Sequence, residues 1–176
     1  MSRHLRAIFS LPFVVLVVVP SLILLMTTSI DTRWTLSAPF YGFIFFAGMV
    51  LILAGVLLLT ITVTLFTTVG EGTLAPWDPT QKLVVQGPYQ HMRNPMIMGV
   101  VTALLGESML TGSWVILLWA VFFLMLNHVY LIFSEEPGLE KRFGESYQQY
   151  KQHVPRWIPR LTPWQSDEKK PLEKQE

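Results

Sequence analysis

The chain has no cysteine among its 176 residues. That excludes disulfide bridges, thiolate catalysis and cysteine-based metal sites. Charge is also scarce: charged residues make up 14% of the sequence and hydrophobic residues 51%. The scarcity is regional. Residues 7–30 carry no charge over 24 positions, residues 34–70 none over 37, and residues 94–134 only Glu107 in 41. A soluble core does not need such runs, and about 18 consecutive apolar residues are enough to cross a bilayer. No P-loop, GxGxxG or Ser-His-Asp pattern occurs, and no basic surface suited to nucleic acid. His91 and His128 lack carboxylates at ligand-like spacing, so the sequence predicts no metal site.

What is present reads as an all-α, polytopic membrane protein of about four transmembrane helices. Helix one is predicted over residues 8–30 as a retained signal anchor, kinked at Pro20. Residues 31–33 make a turn, with Trp34 at the interface. Helix two is predicted over residues 40–67. Its Gly48 and Gly55 lie seven apart, on a face suited to close packing in lipid. Residues 70–89 form a long irregular loop. Asn94 caps helix three and Pro95 starts it. That helix runs to about Leu110 and is short for a full span, at ~24 Å. Thr111 and Gly112 turn the chain into helix four, residues 113–134, so helices three and four form a hairpin. Glu107 is expected at the interface near this turn.

Pro137 is expected to open a separate amphipathic helix. Leu139, Phe143, Tyr147, Tyr150 and Val154 share its apolar face, which places it at the membrane surface. Trp157 and Trp164 read as interface anchors. Residues 1–164 are predicted as a single domain and residues 165–176 as a charged, disordered tail. Twelve of the thirteen Lys and Arg residues fall on one side of this topology, and Arg33 alone on the other. The positive-inside rule then puts both termini, the loop and the C-terminal segment in the cytoplasm. The two polar segments share a compartment and can meet.

Those segments hold the residues suited to chemistry. The start of helix three offers free backbone N–H groups to an anion, and Arg93 adds a fixed charge with a two-pronged donor. Tyr89 can cover an adenine or close a gap toward lipid. Glu135 and Glu136 are adjacent carboxylates at a helix end, where they repel each other and need compensation. His128 lies seven residues before Glu135, on the same helical face.

At these residues the chain resembles a known family. The pattern L-V-x-x-G-P-Y-x-x-x-R-N-P-x-x-x-G runs from Leu83 to Gly99. The pattern E-E-P-x-L-x-x-x-F-G-x-x-Y-x-x-Y-x-x-x-V-P-R-x-I-P runs from Glu135 to Pro159. Both are similar to the isoprenylcysteine carboxyl methyltransferases, and to the phospholipid methyltransferases at the same two places. GEGTLAPWDP, residues 70–79, is similar to bacterial members, which implies a bacterial inner membrane. The resemblance implies S-adenosylmethionine as cofactor and a lipophilic acceptor arriving from the bilayer. It implies that Leu83, Val84, Gly87, Tyr89, Asn94 and His128 line the cofactor and that Glu135 and Glu136 meet its polar parts. Arg93 and Glu136 would carry the catalytic roles. His128 or Glu136 would serve as base for a neutral acceptor.

The chain also departs from the family pattern. Asn94 stands where eukaryotic members carry His, Ile97 replaces a usual Tyr, and Tyr130 stands where a substrate-binding Arg is expected. Two other classes remain open at this point. Sterol reductases using NADPH are similar in the C-terminal half, and a non-enzymatic membrane protein could keep the same shell.

Overall fold

A computed structural model describes residues 11–28, 34, 38–70 and 81–165. The predicted turn at 31–33, most of the 70–79 motif and the predicted tail from 166 onward lie outside the described residues. Among the described residues the regular structure is helical. We name the helices α1 (Leu11–Met26), α2 (Ala38–Thr68), α3 (Pro95–Thr111) and α4 (Trp114–His153). The stretches Phe40–Thr68 and Trp114–His153 are long and apolar enough to cross a membrane; α1 and α3 are shorter apolar helices. Phe43, Phe46, Leu53 and Leu57 on α2, with Leu118 and Phe122 on α4, present exposed apolar surface that water would not support.

The centre of the molecule is the α2–α3 contact. Lipid tails are as apolar as leucine, so helices in a bilayer gain from close backbone approach instead of from escape from water. Gly48 and Gly55 of α2 face Gly106 and Gly99 of α3 in antiparallel order. A Cβ at Gly55 would stand 2.6 Å from the Gly99 carbonyl oxygen and from the Ala103 nitrogen. A Cβ at Gly106 would stand 2.5 Å from the Gly48 oxygen. The face anticipated on α2 thus meets a matching seven-residue glycine pair on α3.

The α3–α4 hairpin closes as expected. Gly112 has φ +66°, a left-handed conformation that a Cβ would strain, and its N–H donates to the Ser108 carbonyl. The Ser113 hydroxyl caps α4 by accepting from the Ile116 N–H at 3.4 Å. The Trp34 N–H donates to the Gly112 carbonyl at 2.9 Å, and its ring meets Trp114 edge-on at 4.9 Å. Trp34 therefore packs against the turn itself.

Two prolines are accommodated by the same local device. Pro20 is absorbed by a π turn over Val14–Val18 immediately before it, where the Val19 N–H donates to the Val14 carbonyl. Proline lacks an N–H and its ring crowds the carbonyl four residues back, so a locally wider helix relieves the clash. The next carbonyl in that register, on Val15, accepts the Trp119 indole N–H at 3.3 Å. Pro137 is handled in the same way. It does not open a separate helix: a π turn over Leu131–Glu135 carries α4 straight through, with the Glu136 N–H donating to the Leu131 carbonyl.

The break comes instead at Gly144, where φ +54° and ψ −127° are open to glycine alone. The bend turns the predicted amphipathic face inward. Tyr147, Tyr150 and Val154 are buried against Leu83, Val85, Leu139, Phe143 and Trp164, so the chain itself covers that face. Trp157 and Trp164 also make contacts within the protein, described below. Glu107, near the hairpin turn, lies half-buried and lines a cavity against α1.

Gly55→Leu is expected to destabilise the protein by about 1–3 kcal/mol through overpacking. Gly42→Leu, at a glycine with nothing within 4 Å of the added Cβ, should unfold like wild type. Thermal unfolding in detergent compares them, and equal transitions for the two variants would contradict the packing account.

Candidate functional site

The loop after α2 returns on itself before reaching the site. The N–H groups of Gln81 and Lys82 both donate to the Gly70 carbonyl, at 2.8 and 3.2 Å. Leu83 then packs into the tyrosine cluster and Val84 is buried. Gly87 opens a single 3-10 turn over Gly87–Gln90, with Pro88 behind it. This turn buries Tyr89 and delivers Arg93 and Asn94 to the start of α3.

The C-terminal segment straps across this loop. The Arg93 N–H donates to the Pro155 carbonyl at 2.9 Å, the Arg160 N–H to His91 at 3.0 Å and the Trp164 N–H to Gln90 at 3.1 Å. His91 Nδ1 lies 2.7 Å from the Arg160 carbonyl. The Tyr150 hydroxyl donates to the Tyr89 carbonyl at 2.7 Å. Trp164 stacks on His153 at 5.7 Å and leans on Tyr150 at 5.8 Å. The hydrogen bonds join segments about 60–75 residues apart in the chain.

At the centre is Glu136, only 4% exposed. Its Oε1 accepts from Arg93 at 2.9 Å. Arg156 grips it with two prongs, Nε to Oε1 at 2.8 Å and an η-nitrogen to Oε2 at 3.0 Å. Lys151 stands 3.2 Å from Oε2 and 2.7 Å from Glu140. Burial alone would raise the Glu136 pKa. The Arg156 hydrogen bonds, the Arg93 charge and the Lys151 hydrogen bond outweigh it and hold the carboxyl below its ordinary value. Arg93 is itself nine-tenths buried, and its Nε has no hydrogen-bond partner.

Glu135, one residue earlier, is in the opposite state. Burial and then the neighbouring Glu136 charge push its pKa up. Burial, and then the Glu135 charge, likewise raise the Tyr89 phenol. Glu135 lies inside the π turn, and none of the hydrogen bonds or ion pairs described here takes up its carboxylate. Asn94 occupies the N-cap of α3, but its side chain caps nothing. His128 is engaged: the Trp157 indole N–H donates to its Nδ1 at 3.0 Å. An indole N–H only donates, so Nδ1 is unprotonated and a neutral ring carries its proton on Nε2.

The structure therefore brings Arg93 and Glu136 into direct contact and seats Tyr89 close enough to Glu135 to feel its charge. It ties His128 to the C-terminal strap. Sequence reasoning gave no site role to Lys151 or Arg156, and it read Tyr150 as part of an apolar helix face and Trp157 as an interface anchor. Arg156 stands in the V-P-R of the second motif. A buried carboxylate that needed compensation was the signal that could have led to it. Near the start of α3, Arg93 keeps an Nε without a hydrogen-bond partner and the Asn94 amide caps nothing, and the Glu135 carboxylate is outside the ion pairs among the described residues. By charge and hydrogen-bonding capacity, these side chains are chemically compatible with a zwitterion that bears hydroxyl groups.

Long apolar helices, exposed apolar faces and a polar site at one end of the hairpin define an integral membrane protein. Residues 43–146 match the phospholipid methyltransferase family, and the chain belongs to that family. It is 38% identical over 77 residues to a protein-S-isoprenylcysteine O-methyltransferase of Schizosaccharomyces pombe, covering 44% of this chain and 33% of that protein. It is 32% identical over 63 residues to an uncharacterised protein of Haemophilus influenzae, covering 36% of this chain and 100% of that protein. The chain thus spans about a third of the S. pombe relative.

Glu136→Gln would leave three cations around a neutral amide. A loss on the order of 3 kcal/mol is expected from breaking this buried network. The Glu136 carboxyl titrates below its unfolded value, near 4.3. Its stabilisation is therefore complete above about pH 4.3 and declines as pH falls through the lower folded value. Chemical denaturation from pH 7 to pH 3 should show the gap between wild type and Glu136→Gln closing on the acid side. A gap that stays constant would contradict the network.

Proposed function

We propose that the protein is an S-adenosylmethionine-dependent methyltransferase that acts from the cytoplasmic side on a lipophilic acceptor. The observation that carries this reading is the closure of the Gly87–Asn94 segment onto Glu135, Glu136 and the C-terminal strap, with Arg93 fixed against Glu136. Four membrane-crossing helices form the frame of the proposal. The site lies at the end of the α3–α4 hairpin where the charge-free stretch stops at Ser134. One domain over residues 1–164 contains it, with residues 165–176 as a charged tail. The placement of Lys and Arg supports cytoplasmic termini and a cytoplasmic site.

When bound, S-adenosylmethionine supplies an activated methyl group with a built-in leaving group. In this reading Arg93 holds the cofactor carboxylate, and Asn94 and Glu135 take its other polar groups. Leu83, Val84, Gly87 and Tyr89 shape the apolar wall. Positioning and exclusion of water then supply the acceleration. Glu136 acts by positioning: its carboxylate is committed to Arg93, Lys151 and Arg156. A carboxylate acceptor needs no base. For an amine or hydroxyl acceptor Glu135 is the better placed base, because its raised pKa and free carboxylate suit proton uptake. His128, held at Nδ1 by Trp157, orients the strap.

Binding of S-adenosylhomocysteine to the purified, detergent-solubilised protein tests this, with NADPH as a parallel ligand. Micromolar binding is expected, weakened about tenfold by Asn94→Ala and by Glu135→Gln, or ~1.4 kcal/mol each. Both variants should keep the wild-type unfolding temperature. NADPH binding in its place, or no binding of either ligand, would end the proposal.

A further inference from the structure

A second polar feature lies far from this site. The apolar face of α1 meets the hairpin around a cavity of about 200 Å³. Leu16, Val17 and Leu24 of α1 and Ile116 of α4 supply apolar lining. Glu107, Thr111 and Ser21 supply the polar lining. Glu107 sits twelve residues along α3 from Pro95, about 18 Å at 1.5 Å per residue. It belongs to the opposite end of the hairpin from Arg93 and Glu136.

An ionisable side chain in such a wall is expensive without a partner and marks function by default. None of the described ion pairs or hydrogen bonds takes up the Glu107 carboxylate; Thr111 bonds only to its backbone carbonyl, at 2.8 Å. Glu107 is the lone charged residue between Asn94 and Ser134. The volume is below the 300–1,000 Å³ of pockets for drug-sized ligands. It suits a small headgroup and the first carbons of a chain whose remainder lies in the bilayer.

We propose that this cavity binds a membrane-soluble primary amine, with its ammonium on Glu107 and its aliphatic chain along α1. An ammonium carries three N–H donors and no acceptor. The carboxylate and the Ser21 and Thr111 hydroxyls are acceptors matched to that number. An anion would be repelled, and a neutral alcohol would leave the carboxylate without a countercharge. The amine can be a free alkylamine or one carried on a lipid headgroup.

The test is equilibrium binding of radiolabelled dodecylamine to the protein in nanodiscs of zwitterionic choline lipids, with empty discs as blank. One saturable site per chain is expected, weakened about tenfold or more by Glu107→Gln, and not displaced by dodecanol. Ser21→Leu, which fills the cavity and leaves the carboxylate, should weaken it as well. Displacement by lysophosphatidylethanolamine would support a headgroup amine, and displacement by unlabelled dodecylamine alone a free one. Both variants should bind S-adenosylhomocysteine as wild type does, so this proposal can fail without the other. Saturable binding equal in wild type and Glu107→Gln, or no binding above empty discs, would overturn it.

Discussion

One buried carboxylate holds the polar end of this molecule together. Glu136 draws Arg93 from the loop before α3 and Lys151 and Arg156 from the chain after Gly144 onto a single group. A lone carboxylate out of water would be too costly to keep ionised, and three cations without it would drive their segments apart. Each needs the others at one point in space. The backbone bonds of the strap, the Tyr150 hydroxyl and the Trp157–His128 contact all follow from the approach this cluster imposes.

The apolar end relies on a different economy. Glycine pairs let α2 and α3 approach to backbone contact, and the prolines are accommodated without breaking their helices. Pro20 and Pro137 are each preceded by a π turn whose last N–H reaches five residues back. Near Pro20, Trp119 satisfies the next carbonyl from a neighbouring helix, so the irregularity also serves as a joint. Near Pro137 the turn sets Glu135 and Glu136 in different surroundings, one outside the ion pairs among the described residues with a raised pKa and one enclosed by cations with a lowered pKa.

Much of this was readable in the chain. The charge-free runs gave the helices, and α2 and α3 begin and end within two residues of their expected limits. The Gly48 and Gly55 face and the Gly112 turn were also legible, because each depends on local chemistry. The meeting of residues near Arg93 with those near Glu136 followed from charge placement and motif order. Three features were not legible. A proline after a long helix reads as a boundary, since a π turn leaves no mark in residue type. The face of Tyr147, Tyr150 and Val154 has the same spacing whether it meets lipid or protein; only Gly144 decides, through a bend no periodicity shows. The cavity beside Glu107 was hidden because α1, which walls it, is distant in sequence.

The strap has a consequence for how the molecule is made. Its bonds to Gln90, His91 and Arg93 come from residues 155–164, which leave the ribosome after α1, α2, α3 and α4. The hairpin of α3 and α4 is local in sequence and closes early, as contacts with small loop-closure entropy do. Until Glu136 and the residues beyond Gly144 emerge, Arg93 waits at the start of α3 without its counterion. Assembly therefore runs from the helices to the strap, and a nascent chain halted before the strap holds the α3–α4 hairpin with an open polar end.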